Sequence, residues 1–275
     1  MEENEYQNFK LTFSWNGEKF HGYQQQPNVF TVQEAISKAW FILTKETVTL
    51  TGCSRLDAGV HANCFVLNFQ SRTKYSLDRI LKGLNGIFHS QLHLDISLYS
   101  VDHVESDFHA RFSANGKHYR YLIWNGFSEH AFLTRRCWHV RSKLDKSELF
   151  LQFQNYVGEH DFSAFRAVDC GAKNTQKKIY KIHTQFHPVY PECIIIDIWG
   201  DGFLKNMIRN MVGTAVDIAS NKLPKNTITE GFLHKNRNQM GVCAPAWGLT
   251  LMQVFYSDIE LNSSLKAQTF FPAPC

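Results

Sequence analysis

Along the first third of the chain, apolar and polar residues trade places in short, regular runs. Phe9, Leu11, Phe13 and Trp15 are separated by Lys10, Thr12 and Ser14, the period of two that a half-buried strand requires. Asn16-Gly17 then turns the chain, and Phe20 to Pro27 reads as a loop. From Val32 the period changes. Val32, Ala35, Ile36, Ala39, Trp40 and Leu43 fall at helical spacing behind Thr31-Val32-Gln33-Glu34, a capping box. Phe65, Leu67 and Phe69 restore the period of two, Leu77 to Leu84 reads as a short helix ending near Asn85-Gly86, and Leu94, Ile96 and Leu98 form another strand.

The later part of the chain continues in the same style. In a strand, Tyr119, Tyr121 and Ile123 share one face while Arg120 and Leu122 take the other. Asp145 to Val157 reads as an amphipathic helix closed by Gly158, and the residues after it as a loop. Ile179 and Ile182 lead towards Cys193 to Ile198, an apolar run expected to be buried on both faces. Phe203, Met207, Met211, Ala215 and Ile218 give a helix whose first turns carry Lys205 and Arg209 and no acid. Thr227-Ile228-Thr229-Glu230 is a second capping box, and Val254 to Tyr256 completes a strand. The expected fold is α+β, with a mostly antiparallel mixed sheet, helices on one side and two related halves. Its halves are residues 1–113 and 114–258, with an unpatterned tail over 259–275.

Composition narrows the class. With 44% hydrophobic and 20% charged residues, the 275-residue chain is an ordinary globular protein with enough length for a substantial core. A net charge of +4 is a faint sign of a polyanionic partner, and the local distribution says more. Between Asp107 and Glu129 the only charged side chains are Arg111, Lys117 and Arg120; between Cys170 and Pro191 they are Lys173, Lys177, Lys178 and Lys181. Acid-free basic stretches suit a phosphate backbone, and solvated surface faces equally. The seven Cys are odd in number and include no C-x-x-C pair, which argues against a disulfide framework and a Cys-rich zinc site. His89 and His93, and His183 and His187, are four apart with no third ligand at zinc spacing, so no metal is expected. No signal-peptide core and no run of the ~18 apolar residues that a membrane span needs is found, which makes a reduced cytoplasm the expected compartment and no membrane the expected partner.

One stretch stands apart chemically. Thr51 to Ala62 packs Arg55, Asp57, His61 and two Gly between an apolar run and the Phe65 strand, where a scaffold usually presents a catalytic loop. Glycine two residues after Asp57 lets the backbone turn sharply and aim the carboxylate outward. A nearby arginine favours the ionised carboxylate, which can act as nucleophile or base. R-x-D is also a short, common pattern, and an Arg and Asp that merely cap a turn fit it as well.

The wording of Ser54-Arg55-Leu56-Asp57-Ala58-Gly59-Val60-His61 resembles the active-site signature of the tRNA pseudouridine synthase A family, G-R-T-D-A-G-V-H, in which the Asp is catalytic. Ser54 stands where Gly is usual and Leu56 where Thr is usual. Further resemblances follow in colinear order. Trp15-Asn16-Gly17, Gly22-Tyr23-Gln24 and Thr31-Val32-Gln33 are similar to the family's opening pattern, with Asn16 in place of Asp. Phe108 to Ala114 is similar to F-H-A-R-F-S-A, Tyr119-Arg120-Tyr121 to Y-x-Y, and Gly158 to Phe165 to G-x-H-D-F-x-x-F. Phe203 to Gly213 resembles F-x-x-x-M-V-R-N-x-V-G, and Ala244 to Leu251 resembles A-P-A-x-G-L-x-L.

The resemblance implies a pseudouridine synthase fold with a central active-site cleft, and the isomerisation of uridine to pseudouridine on the 3′ side of the tRNA anticodon arm. It implies no cofactor, in keeping with the lack of a P-loop or dinucleotide fingerprint, and a homodimer with one tRNA lying across both subunits. By correspondence Asp57 is the nucleophile or base, Arg209 its ion-pair partner, and Tyr119 the residue stacked on uracil and involved in proton transfer. Leu249 joins Tyr119 as a pocket wall; Arg55, which can fill the space of a flipped nucleotide, His61, Arg111 and Arg166 are the remaining substrate contacts. His160 and Asp161 are read as a local turn network. If the usual Thr hydroxyl fixes the active loop, Leu56 forfeits one hydrogen bond, about 0.5 to 1.5 kcal/mol. Two rivals stand beside this reading: a tRNA-binding or tRNA-folding protein without turnover, motivated by Ser54, Leu56 and Asn16, and a nucleoside or glycoside hydrolase that pairs Asp57 with a second acid such as Asp161 or His160.

Overall fold

The computed structural model describes residues 6–267. They divide into two compact units, residues 6–115 with 251–267 and residues 116–250. The first unit begins with β1 (Gln7–Trp15), α1 (Val32–Thr44), the short β2 (Thr51–Gly52), β3 (His61–Ser71), α2 (Leu77–Gly86) and β4 (Ile96–Val104). The second contains β5 (Gly116–Trp124), β6 (Trp138–His139), α3 (Lys146–Gln154), β7 (Gly158–Asp161), β8 (Gln176–Phe186), β9 (Cys193–Gly200), α4 (Met207–Ala219) and α5 (Thr227–His234). Along β10 (Leu249–Phe255) the chain passes back into the first unit and ends its described part in α6 (Asp258–Lys266).

In the first unit the strand order is β4-β1-β3-β10, with β2 added to β3; in the second it is β5-β9-β8-β7, with β6 added to β5. β1 pairs antiparallel with β3 and β4, as do β5 with β9, β9 with β8 and β8 with β7, whereas β6 runs parallel to β5. The architecture is therefore α+β with a mixed, mostly antiparallel sheet.

The alternation read in β1 is a core face. Phe9, Leu11 and Phe13 are fully buried, and the register sets them opposite Phe69, Leu67 and Phe65 of β3. Helix α1 lies on that face: its buried stripe ends in Trp40, whose ring stands edge-on to Phe69 at 4.6 Å and 6.0 Å from Phe9. Burying aromatic side chains of this size stabilises by about 1.5 to 3 kcal/mol each. Thr31 caps α1 as its box predicts, Oγ1 accepting from Glu34 N–H at 3.3 Å.

Four elements depart from the sequence expectations. Gly158 to Asp161 is not a loop but a strand, because its backbone pairs with Ile179 to Gln176 of β8. α4 starts at Met207 rather than Phe203, since Asn206 at φ +60° breaks the helical run. The second capping box does not form: Thr227 is already helical and its hydroxyl donates to Pro224 O at 2.7 Å, while Asn226 holds the cap position. Residues 259–266 of the expected tail are helical, in a helix capped by Ser257, whose Oγ accepts from Glu260 N–H at 3.2 Å; residues 268–275 of that tail lie outside the described residues. Among the described residues no helix is long and apolar enough to cross a membrane.

Candidate active site

The loop carrying Asp57 is held by backbone groups on every side. It leaves β2 with Cys53 N–H bonded to Val66 O at 2.9 Å and enters β3 at His61. Val60 N–H returns to Asp57 O at 3.1 Å, closing a turn whose third residue, Gly59, sits at φ +81°, a conformation glycine adopts without strain. The opening loop supports it: Tyr23 N–H donates to Leu56 O at 3.1 Å, Gly59 N–H to Phe20 O at 3.3 Å, and Trp15 Nε1–H to Val60 O at 3.1 Å. Tyr23 is itself fixed by Gln33 N–H to its carbonyl at 2.9 Å and by its ring against Phe65 at 4.5 Å. Asp57 is left half-buried at the tip and Arg55 exposed beside it.

The hydrogen bond that pins this corner uses the Leu56 carbonyl, which any residue supplies, and the leucine side chain is buried. His61 is buried as well, its Nδ1 accepting from Gly17 N–H at 2.9 Å, so its visible contact steadies the loop.

Gly22 is the tightest point of support. It sits at φ +89°, and a Cβ there would lie 2.6 Å from Leu56 O. Gly22→Ala must push the Asp57 loop outward. Since a misplacement of about 1 Å can cost 10²-fold in rate, a single-turnover rate that depends on Asp57 is expected to fall by about that factor with substrate affinity little changed. Equal loss of affinity and rate, measured by filter binding and product formation, would point to general unfolding instead.

Within the second unit, three segments that carry the family resemblance are tied to one another. Tyr119 of β5 is buried, opposite Ile198, with its ring edge-on to Phe203 at 5.0 Å. Two residues on, Tyr121 donates its hydroxyl to Pro245 O at 2.8 Å, and its ring fills the space against Gly248. Arg209 of α4 donates Nε–H to Ala244 O at 2.7 Å and Nη1–H to Asn206 Oδ1 at 3.2 Å, while Ala244 N–H returns to Arg209 O at 3.1 Å. Burial pushes the Tyr121 hydroxyl well above its usual range, with the Arg209 charge opposing, so it stays a neutral donor. Leu249, buried, closes the turn Ala246–Gly248 through its N–H to Ala246 O. A half-buried guanidinium, a buried tyrosine ring and a buried leucine thus share one rigid frame.

A model of the family described as tRNA pseudouridine synthase matches residues 13–113 and 153–257. The chain belongs to this family. A tRNA pseudouridine synthase A of Ruminiclostridium cellulolyticum is 37% identical over 247 residues, 90% of this chain and 98% of its own length. Those of Acetivibrio thermocellus and Geotalea daltonii are 38% and 36% identical over 249 residues, 90% of this chain and 99% of each relative. As a member of the pseudouridine synthases the chain is an isomerase, and these relatives do not favour the reading as a binding protein without turnover. Residues 114–152, with Tyr119 among them, lie between the two matched stretches.

The remaining expected contacts have varied settings. The segment with Arg111 hangs on Asn68, whose side chain accepts from Ala110 N–H at 2.8 Å and donates to Phe108 O at 3.0 Å, and on Tyr256, whose hydroxyl donates to Ala110 O at 2.8 Å. It presents Arg111 and Phe112 to solvent, with the guanidinium over the Phe112 ring. Arg166 is half-buried and donates to Ala172 O at 3.1 Å, holding its own loop. Asp161 accepts from Ser163 N–H at 3.0 Å and pairs with Lys235 at 2.8 Å. Burial alone would raise its pKa; hydrogen bonds from Lys235, Thr175 and Ser163 outweigh that and hold the carboxyl well below the usual range. Sequence reading passed over Tyr23 and Tyr121 as supports of the site, although G-Y-Q and Y-x-Y marked their places.

Proposed function

We propose that this chain isomerises uridine to pseudouridine on the 3′ side of the anticodon arm of tRNA, working in the cytoplasm as a homodimer with one tRNA lying across both subunits. Asp57 is the reacting carboxylate, attacking C1′ or removing the C2′ proton. Arg209 is its ion-pair partner. The N1–C1′ glycosidic bond breaks, the uracil turns while retained against Tyr119 and Leu249, C5 bonds to C1′ as Asp57 leaves that carbon or returns the C2′ proton, the C5 proton leaves to solvent, and N1 takes up a proton in its place. Reactant and product contain the same atoms, so the step balances without an oxidant, reductant or second substrate. Arg55, exposed beside the carboxylate, fills the stack from which the nucleotide has turned out, and Arg111 meets phosphate.

The observation that best supports this reading is the fully backbone-braced loop that leaves Asp57 half-buried at its tip between an exposed arginine and a glycine turn. Preorganised charge of this kind is the main resource of a reaction that has no cofactor to do its chemistry. The hydrolase reading fares worse, because a general acid must be protonated at working pH, and Lys235 and Ser163 keep Asp161 ionised. Tritium release from C5-tritiated uridine in unmodified tRNA is the direct test. Release with pseudouridine mapped to the anticodon arm is expected; free uracil would favour the hydrolase, and no release would defeat the proposal.

A further inference from the structure

The chain holds a third basic stretch beside the two described above. From His130 to Leu144 it contains Arg135, Arg136, Arg141 and Lys143 and no acid, and it belongs to the segment between the two stretches that the family model matches. Here a short turn, Ala131–Leu133, exposes Phe132 almost completely and leads to Arg135 at φ +59°. A non-glycine residue in that conformation is uncommon and costs free energy, so the surroundings must over-determine it. It carries the Arg135 guanidinium over the ring of Trp247, 5.5 Å from its centre.

Trp247 is equally out of the ordinary. Its neighbours Ala246, Gly248 and Leu249 are buried, yet the indole is 37% exposed. It cannot retreat, because the turn beneath it is fixed by Tyr121 through Pro245 O and by the tyrosine ring packed against Gly248. Only Gly248 separates it from Leu249, so their Cα atoms are no more than about 7 Å apart.

We propose that Trp247 and Arg135 form a subsite for a nucleotide flanking the target uridine, the base stacking on the indole and the guanidinium meeting its phosphate. The inference rests on the function proposed above and adds a binding element to it. An indole is the strongest stacking partner among side chains and accepts any base, and an arginine beside it supplies both cation–π contact and phosphate charge. A flipped uridine leaves its neighbours unstacked, and a fixed aromatic face close to the retained uracil replaces the lost stacking.

The test uses anticodon-arm RNA carrying 2-aminopurine at each nucleotide flanking the target uridine in turn, together with full unmodified tRNA. Wild type is expected to quench the fluorescence of one of these probes by stacking, and Trp247→Ala to abolish that quenching and weaken tRNA binding by roughly 5- to 150-fold, the range for one lost base–aromatic stack. Trp247→Phe should keep most of the quenching. Arg135→Ala should lower the slope of log affinity against log salt by about one, the signature of one lost phosphate contact. If Trp247→Ala does not fold, Trp247→Leu fills the volume without a π face and reads the same quantities. Unchanged quenching and affinity in the folded Trp247 variants, with tritium release intact in wild type, would overturn the subsite alone. Wild type that releases no tritium from any tRNA would overturn the function and the subsite together.

Discussion

Asp57→Asn is expected to cut single-turnover pseudouridine formation by about 10⁴-fold or more, the upper end for a positioned proton-transfer group, with tRNA affinity close to that of wild type. The reason lies in how the loop is built. From Thr51 to Ser71 Asp57 is the only acidic residue, so no neighbour in the loop can take over its charge. The turn that carries it is closed through the Asp57 carbonyl, and the flanking bonds use Leu56 O, Gly59 N–H and Val60 O, all of which an amide side chain leaves in place. Asparagine keeps the shape and removes the anion; the loss is therefore chemical. The assay is tritium release from C5-labelled tRNA in enzyme excess, with binding followed separately. Release within about tenfold of wild type would mean that another group supplies the essential charge, because general acid–base assistance alone contributes more than that. Comparison with Gly22→Ala separates two ways of losing rate: one variant lacks the proposed reacting group, the other holds it in the wrong place.

Much of this was legible in the chain, for a physical reason. β1, α1 and β3 follow local periodicity, and a face that must be buried prints its period on the sequence whatever lies further along. The turn of the Asp57 loop was legible too, because Gly59 marks it before β3; the role given to Asp57 rests on the resemblance of residues 54–61 to the family signature, since the residues alone fit a capped turn equally well. What was hidden depends on non-local pairing. Gly158 to Asp161 has no strand pattern of its own and becomes one because Lys177 and Lys178 offer backbone partners. The Leu56 difficulty was hidden as well, because sequence names side chains while the bond that matters there is made by a carbonyl. α6 was missed although Ser257-Asp258-Ile259-Glu260 carries the same capping signal that located α1. The apolar run Cys193 to Ile198 was read correctly as buried on both faces, and that reading made its one acid, Asp197, the residue most in need of an explanation.

Asp197→Asn is expected to destabilise the protein by about 3 to 5 kcal/mol, the cost of leaving a buried charge without its counterion. Asp197 is 2% exposed, and the β5–β9 register sets it opposite Arg120, which clasps it with Nε at 2.8 Å and Nη2 at 2.9 Å. His118 adds a third bond at 2.7 Å, its ring stacked on Trp199 at 4.1 Å. An asparagine can satisfy some of these donors but not the guanidinium charge, which stays in a setting where water cannot screen it. Tyr119 and its partner Ile198 are the next pair in the same register, so disorder here reaches the residue expected to face the uracil. The pH dependence follows from the directions of two shifts. Burial lowers the His118 pKa, and for Asp197 the bonds from His118 and Arg120 outweigh the opposing effect of burial and lower it too. In both cases the unfolded chain binds protons more readily than the folded one, so wild-type stability falls on acidification, first below about pH 6.5 through His118 and again below about pH 4 through Asp197. Asp197→Asn shrinks the second fall, to which Asp161 with its lowered pKa still contributes, and keeps the first, because burial of His118 still disfavours imidazolium and Arg120 still repels it. Urea midpoints measured from pH 7 to about pH 3 check these statements: a variant as stable as wild type at pH 7 would show that water or another anion reaches Arg120, a wild-type profile flat down to about pH 5 would show that His118 titrates alike in the folded and unfolded chains, and equal falls below about pH 4 in variant and wild type would show the same of Asp197.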